Sequence, residues 1–165
     1  MEEGWVTQSW DTAIKAQSHH DASVCMTFHY AKGMHHLIDV MLLRAEYPEL
    51  KRAIVKNAER YLPHAILIED KASGQSLLQD LRREASLPLI AIMPKGDKIM
   101  RVARITPMLE AGLVALPNRA HWLAALEAEL VAFPNAAHDD QVDALAQYLG
   151  WIRDRQGRAP QMRKL

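Results

Sequence analysis

The sequence has little cysteine, no long hydrophobic run and no excess charge of either sign. Its one cysteine, Cys25, excludes an internal disulfide framework and a cysteine-rich zinc site, and its surroundings, ASVCMTF, predict a buried thiol in a strand. No segment approaches the roughly 18 consecutive apolar residues of a membrane span. The acidic N-terminus MEEGWVTQSW also lacks the apolar region of a secretory signal. We therefore expect a soluble, cytoplasmic protein without a membrane partner.

The overall charge gives no argument for a nucleic-acid partner, because 20 basic residues balance 20 acidic ones. The distribution of charge is more informative. Residues 151–165 carry five basic side chains against one acidic, and residues 95–104 carry four against one: Lys95, Lys98, Arg101 and Arg104. Both segments fit an anion-binding patch, and both also fit an ordinary solvated surface.

The order of predicted elements indicates a single α/β domain with a mixed central sheet. Three strand-like segments joined by short turns come first and predict an antiparallel meander. Apolar strands then alternate with helices, which is typical of parallel strands covered by helices. We expect about five or more strands, one domain over residues 1–155 and a polar, basic tail over residues 156–165. The strands are predicted at residues 5–11, 24–31, 34–44, 65–70, 87–94 and 113–117, and the helices at residues 48–61, 76–85, 97–112, 121–133 and from 139 onward.

The last helix opens with three aspartates in HDDQVDALAQ. Asp139 is predicted to cap the helix, and an acid in the first turn, such as Asp140, favours the positive end of the helix dipole. Asp143 lies a full turn further in, on nearly the same side as the other two, where like charges destabilise a helix. Capping therefore leaves Asp143 unexplained.

Further acids close two of the predicted strands. Asp11 ends the first strand, and Glu69 and Asp70 end the apolar run AILI, at the edge where open α/β sheets place ligand sites. Acids brought together without a basic partner favour a hard divalent cation such as Mg²⁺ or Mn²⁺. Two such ions, roughly 4 Å apart, would activate a water and stabilise a leaving oxygen in phosphodiester hydrolysis.

Three motifs in order, SWDTA, LIEDKASG and HDDQVDALAQ, resemble the nuclease domain of phage large terminase subunits. The resemblance runs from about residue 6 to 153 and implies a ribonuclease H-like fold. It also implies an endonuclease that cuts concatemeric phage or prophage DNA during packaging, in the cytoplasm of the host cell. A Holliday-junction resolvase of the same fold and a catalytically degenerate domain for DNA docking or assembly are the alternatives.

The resemblance also implies a set of site residues. Asp11, Glu69 and Asp143 are the expected catalytic metal ligands, and Asp140 is an additional one. Asp70 is the rival to Glu69, because adjacent strand residues point to opposite faces. The expected cofactor is Mg²⁺ or Mn²⁺, as two ions.

The resemblance implies partners as well. The substrate is double-stranded DNA, held through Lys95, Lys98, Arg101 and Arg104, for which solvated helix surface is the alternative. An ATPase motor, a portal and a small terminase subunit are the expected protein partners. The chain has no GxxxxGK[ST] element, so we expect the ATPase function to lie outside it.

Histidines give a weaker signal. The sequence contains two adjacent pairs, at positions 19–20 and 35–36, and neither has the spacing of a known zinc motif. His138 stands beside the acids, where it could orient a ligand or water or simply be a loop residue.

Overall fold

The computed structural model describes residues 4–13, 22–70, 72–135 and 138–156. These residues form six strands and five helices, in the order that the sequence predicts. The strands are β1 (Trp5–Asp11), β2 (Ser23–Ala31), β3 (Met34–Leu43), β4 (Ala65–Glu69), β5 (Leu89–Ile92) and β6 (Val114–Ala115). The helices are α1 (Tyr47–Tyr61), α2 (Ala72–Glu84), α3 (Lys98–Glu110), α4 (Leu123–Ala132) and α5 (Asp140–Gln156).

The strands form one mixed sheet in the order β5-β4-β1-β2-β3-β6. β1, β2 and β3 are the predicted antiparallel meander. The turn between β2 and β3 consists of Lys32 and Gly33, which both have positive φ, the conformation that a tight hairpin turn requires. β4 pairs parallel to β1, and β5 parallel to β4, because a helical crossover precedes each of them. The predicted fold class is therefore confirmed.

Two apolar cores lie on opposite faces of the sheet. One is formed with α1 and α2 and contains Trp10, Ile66 and Ile68. The other is formed with α3, α4 and α5 and contains Leu67 and Tyr148. Strand alternation sorts the side chains between the two cores. The predicted buried thiol of Cys25 belongs to the first core and is confirmed.

The helices differ from prediction in two places. α2 starts at Ala72, four residues earlier than expected, since Gly74 lets its first turn lie directly on the end of β4. Pro107 is expected to disturb α3, but the helix continues for three more residues. Pro107 and Ala103, whose carbonyl loses the proline's missing donor, both lie on the exposed side of α3, so water can replace that bond. Asp97 caps α3, because the Met100 amide donates to its Oδ1 at 2.8 Å.

Among the helices of the described ranges, none has both the length and the apolar character needed to cross a membrane. Residues 157–165, which make up most of the predicted basic tail, and the His19–His20 pair lie outside the described residues.

Candidate metal centre

Strand alternation places Asp11 and Glu69 on the face of the sheet that α5 covers. In β1, the Ser9 hydroxyl donates to the Ala144 carbonyl of α5 at 2.8 Å, and Asp11 has the same parity as Ser9. In β4, Leu67 packs in the core shared with α5, and Glu69 has the same parity as Leu67. The two acids therefore point to the same side at the carboxyl ends of adjacent parallel strands.

Gln147 fixes α5 against the end of β1. Its side-chain amide donates to Ser9 Oγ at 3.0 Å and to the Trp10 carbonyl at 3.1 Å. Asp143 lies one turn before Gln147 on the same side of α5 and is thereby brought opposite Asp11. Sequence reasoning missed Gln147, although its i+4 spacing from Asp143 was the signal that could have found it.

The three acids meet at a small cavity with a volume of about 30 Å³. Its walls come from the ends of β1 and β4, the segment after β5, and helices α3 and α5. That volume is sufficient for a water molecule or a metal ion. Its lining residues are Asp11, Glu69, Ile92, Pro94, Arg101, Asp143 and Gln147.

The electrostatics of this cavity disfavour a charged Asp11. Burial of its carboxyl, followed by the negative charges of Asp143, Glu69 and Asp140, raises its pKa from 3.8 to about 7, although Lys98 partly opposes the shift. A carboxylate in this position needs additional positive charge to stay ionised at neutral pH. The acid and amide side chains around it supply oxygen atoms, and such ligands suit Mg²⁺ or Mn²⁺.

Two of the predicted DNA-binding cations pair with the acids of the last helix. Lys98 Nζ lies 2.7 Å from Asp143 and 2.5 Å from Asp139, and an Arg101 guanidinium nitrogen lies 2.9 Å from the other oxygen of Asp143. Burial lowers the pKa of Lys98, but its bonds to the two aspartates outweigh that effect and raise it. The assumption that the acids lack a basic partner was therefore wrong for Asp143.

The other two predicted DNA-binding cations meet further along α5. Lys95 and Arg104 both pair with Asp154, at 3.1 and 2.8 Å. Each of the four cations thus pairs with an aspartate at the start of α5 or further along it. These aspartates partly neutralise the cations. Their contact with DNA stays a prediction.

Asp139 and Asp140 lie beside the cavity rather than in its wall. Asp139 occupies the cap position of α5, but its side chain binds Lys98, and the capping carboxylate is that of Glu129 in α4. Glu129 Oε1 accepts from the backbone amides of Gln141 and Val142 at 2.8 and 3.0 Å. Burial, followed by the charges of Glu129 and Asp139, raises the pKa of Asp140, whereas Lys98 and His138 lower it. No sequence signal pointed to Glu129.

Asp70 lies just past the end of β4, with the opposite parity to Glu69. Its backbone amide donates to the Ile92 carbonyl at 2.8 Å, and it does not line the cavity. The side chain that lines the cavity and raises the pKa of Asp11 is that of Glu69. Gly74 supports this position, since a Cβ there would stand 2.0 Å from the Glu69 carbonyl oxygen.

Across the part of the chain that the structure describes, no three Asp, Glu, His or Cys side chains are placed so that together they could hold a metal ion. The carboxylate of Asp143 is bound instead by Lys98 and Arg101. His35 is a core residue, with Nδ1 2.8 Å from the Tyr148 hydroxyl, and burial lowers its pKa.

The sequence model of the Terminase RNaseH-like domain matches residues 8–149 of the chain. The chain belongs to this family. The terminase match covers all three acidic motifs, so the predicted family is confirmed. No protein with a curated description matches the sequence.

Solved structures share the fold of this terminase domain at low sequence identity. The large terminase nuclease of thermophilic phage G20c, with bound magnesium, superposes with a TM-score of 0.72 at 17% identity, over 91% of this chain and 82% of that one. The same nuclease has also been crystallised with zinc and with cobalt. The large terminase of a second thermophilic bacteriophage superposes with a TM-score of 0.66 at 14% identity, over 90% of this chain but only 40% of that one.

A third similar structure is the fowlpox virus resolvase in complex with Holliday junction DNA. It superposes with a TM-score of 0.55 at 15% identity, over 91% of this chain and 98% of the resolvase. At these identities the structures establish the ribonuclease H-like fold, and the family match establishes the terminase relationship.

Proposed function

We propose that this chain is a metal-dependent DNA endonuclease domain that cuts concatemeric viral DNA during genome packaging. One observation supports this most directly: carboxylates from β1, β4 and α5 converge on a single cavity, where burial and the neighbouring negative charges raise the pKa of Asp11 to about 7. A structural ion pair would not require three acids facing one another. Membership of the terminase family agrees with this chemistry.

Once Lys98 and Arg101 release Asp143, the carboxylates of Asp11, Glu69 and Asp143 would close on Mg²⁺ or Mn²⁺, with two ions as the proposed number. Asp140 is close enough for its charge to act on Asp11 and is the additional candidate ligand, while Asp70 is the weaker one. A bound divalent cation in such a site activates water and stabilises the leaving oxygen of phosphodiester hydrolysis. The related nucleases crystallised with magnesium, zinc or cobalt support a divalent cation.

The remaining residues of the cavity orient this centre. Gln147 holds α5 at a fixed position on β1, and Glu129 holds the first turn of α5, which carries Asp140 and Asp143. Arg101 lines the cavity, so its guanidinium is placed to attract a phosphate oxygen. Lys98 neutralises Asp139 and Asp143 when no other cation is bound.

The proposed substrate is double-stranded DNA, bound through its phosphates. Lys95, Arg101 and Arg104 line the cavity or the groove beside it, and Lys98 pairs with Asp143 at the cavity wall. Their contacts would position the backbone without reading sequence. Release from their partners on α5 would accompany DNA binding.

The proposed protein partners follow from the terminase relationship. The chain corresponds to 40% of the large terminase from the second thermophilic phage, a protein that has also been crystallised with ADP. An ATPase motor is therefore the expected partner, with a portal and a small terminase subunit as further members of the assembly.

Plasmid nicking tests the proposal. Supercoiled plasmid is incubated with the chain and Mn²⁺ or Mg²⁺, beside Asp11→Asn, Asp143→Asn and the control Glu127→Gln, an exposed acid of α4. We expect nicking by the parent and the control, and its loss in both aspartate variants. Mn²⁺ titration calorimetry should show weaker binding for the same two variants. Equal nicking by all four proteins would overturn the proposed centre.

The resolvase alternative rests on the similarity to the fowlpox enzyme. It predicts faster cleavage of a four-way junction than of a linear duplex with the same sequences, whereas the packaging nuclease cuts both at similar rates. A degenerate docking domain would bind DNA but show neither nicking nor divalent-ion affinity.

A further inference from the structure

A groove with a volume of about 310 Å³ runs along α5, directly beyond the acidic cavity. The two spaces share four lining residues, Ile92, Pro94, Arg101 and Gln147. The groove is therefore continuous with the proposed cleavage site. Its volume falls at the lower end of the range of about 300–1,000 Å³ that is common for ligand sites.

The floor of the groove contains a glycine in the interior of a long helix. Gly150 lies in the middle of α5, where glycine is less favourable than alanine because it loses more backbone freedom on folding. No heavy atom of the described chain, apart from its own helix backbone and neighbours, lies within 4 Å of the position that a Cβ would take. Packing within the described chain therefore gives no reason for a missing side chain. The open space over Gly150 is available to a ligand.

The charge of the groove indicates an anionic ligand. Four of its lining residues are cations, Lys95, Arg101, Arg104 and Arg155, against the single carboxylate of Asp154. Asp154 pairs with Lys95 and Arg104, and the guanidinium of Arg155 lies 4.7 Å from the centre of the Trp151 ring. Strand β5 supplies an apolar wall through Ile90, Ala91 and Ile92. Cations at the rim and an apolar wall fit the phosphates and the sugar edges of a nucleic-acid strand.

The position of the groove along α5 sets its distance from the cleavage site. Asp143, Gln147, Gly150 and Asp154 are spaced by four, three and four residues, so they lie along one side of the helix. Seven residues separate Asp143 from Gly150, which is about 10 Å along a helix.

We propose that this groove binds the backbone of the substrate DNA strand, about 10 Å along α5 from the residue that would face the cleaved phosphodiester. Gly150 keeps its floor open, and Lys95, Arg104 and Arg155 contact its phosphates. This inference rests on the proposed function, because it takes the acidic cavity as the cleavage site.

Filling the groove tests the inference without removing any charge. Gly150→Leu places a side chain in the open space, and Gly150→Ala fills it less while favouring the helix. Ala128→Leu is the matched control, because it adds a similar side chain to an exposed position of α4 outside the groove. Fluorescence anisotropy with a labelled duplex of about 20 base pairs in EDTA measures affinity, and thermal unfolding measures stability.

We expect Gly150→Leu to weaken DNA binding about tenfold or more, Gly150→Ala to weaken it about threefold, and Ala128→Leu to leave it unchanged. The melting temperature of Gly150→Ala should equal or exceed that of the parent, so a loss of affinity cannot come from unfolding. If Gly150→Leu is too unstable to measure, the Gly150→Ala result decides the matter.

If both Gly150 variants bind DNA with the affinity of the parent, within experimental error, the proposed role of the groove in DNA binding is overturned. This outcome differs from failure of the proposed function. If the parent binds DNA and the variants do not, but no protein nicks plasmid with Mn²⁺, the groove stands and the endonuclease proposal fails. If the parent neither binds nor nicks DNA, both proposals are overturned.

Discussion

The two faces of the sheet use ionic side chains in different ways. On the face covered by α1 and α2, the ion pairs lie at the outer surface, as between Lys51 and Glu84 at 2.6 Å. On the face covered by α3 and α5, Lys98 and Arg101 pair with Asp143, whose side chain is only 18% exposed. Charges shielded from water interact strongly, whereas charges in water interact weakly. The candidate metal centre therefore lies on the face where the ion pairs are shielded from water.

Strand β1 shows the same difference within four residues. Gln8 and Trp10 point to the α1 side, where the Gln8 amide donates to the Asn57 carbonyl at 3.0 Å and Trp10 is fully buried. Ser9 and Asp11 point to the α5 side, where they meet Ala144 and the acidic cavity. One face of β1 is therefore structural, and the other carries the candidate site.

The largest expected effect is on the pH dependence of stability in EDTA. The pKa of Asp11 is about 7 in the folded chain and 3.8 when unfolded, so the folded state binds more protons between pH 4 and 7. Stability should therefore fall as pH rises through this window, by on the order of 4 kcal/mol from this group. Urea unfolding of the parent and Asp11→Asn at pH 5 and 8 measures the difference. Identical pH profiles for the two proteins would show that folding does not raise the pKa of Asp11.

The next largest effect separates two neighbouring acids. Glu69→Gln should reduce nicking about 100-fold or more. This loss exceeds the roughly 10–100-fold loss that is typical when the changed residue only hydrogen-bonds a metal ligand. Asp70→Asn, which lies outside the cavity, should change nicking less than about threefold. Both variants keep side-chain size and remove one charge, so each controls for the other. The reverse result would place Asp70 in the metal centre and Glu69 outside it.

Gly74→Ala should act through the backbone that carries Glu69. The added Cβ would stand 2.0 Å from the Glu69 carbonyl oxygen, so α2 or the end of β4 must move. We expect a loss of about 1–3 kcal/mol in the free energy of unfolding, measured with urea, together with reduced Mn²⁺ affinity. Ser76→Ala, at an exposed position of α2, is the control. A stable Gly74→Ala variant with normal Mn²⁺ affinity would show that the contact relaxes without moving Glu69.

Removal of a cation from Asp143 should have a smaller and opposite effect. Arg101→Met removes a positive charge that competes with a metal ion for Asp143, so Mn²⁺ should bind about five- to tenfold more tightly in calorimetry. Arg104→Met is the matched control, since it removes the same charge one turn further along α3, from Asp154 instead. Equal changes of Mn²⁺ affinity in both variants would mean that the affinity depends only on the overall charge of the chain.

The smallest effect is expected on the opposite face. Lys51→Met breaks the exposed pair with Glu84, and such pairs contribute about 0–1 kcal/mol. Urea unfolding should therefore change little, and nicking should not change at all. A marked loss of nicking in this variant would contradict the assignment of chemistry to the α5 face.

The sequence was sufficient for the fold and for the strand ends that carry Asp11 and Glu69, because both follow from local patterns. Alternation in β1 and the apolar run of β4 already predict where Asp11 and Glu69 end their strands. The family match confirms the terminase class, whereas the individual site residues stay predictions.

The partners of the acids were not predictable, since they depend on how α3 and α4 dock on α5. Lys98 and Arg101 looked like a free basic patch, and they pair with Asp139 and Asp143. Glu129 carried no signal either, because its capping bonds join two helices whose relative placement the sequence does not show.

The bonds of Gln147 to Ser9 and Trp10 have a consequence for the timing of activity in the cell. Asp11 comes from the first strand and Asp143 from the last helix, so the acids lie near opposite ends of the described chain. During synthesis, the strands and earlier helices emerge from the ribosome before the helix that completes the acid set. Under the proposed function, a nascent chain would therefore lack the complete acid set, and with it the ability to cut DNA, until α5 docks on β1.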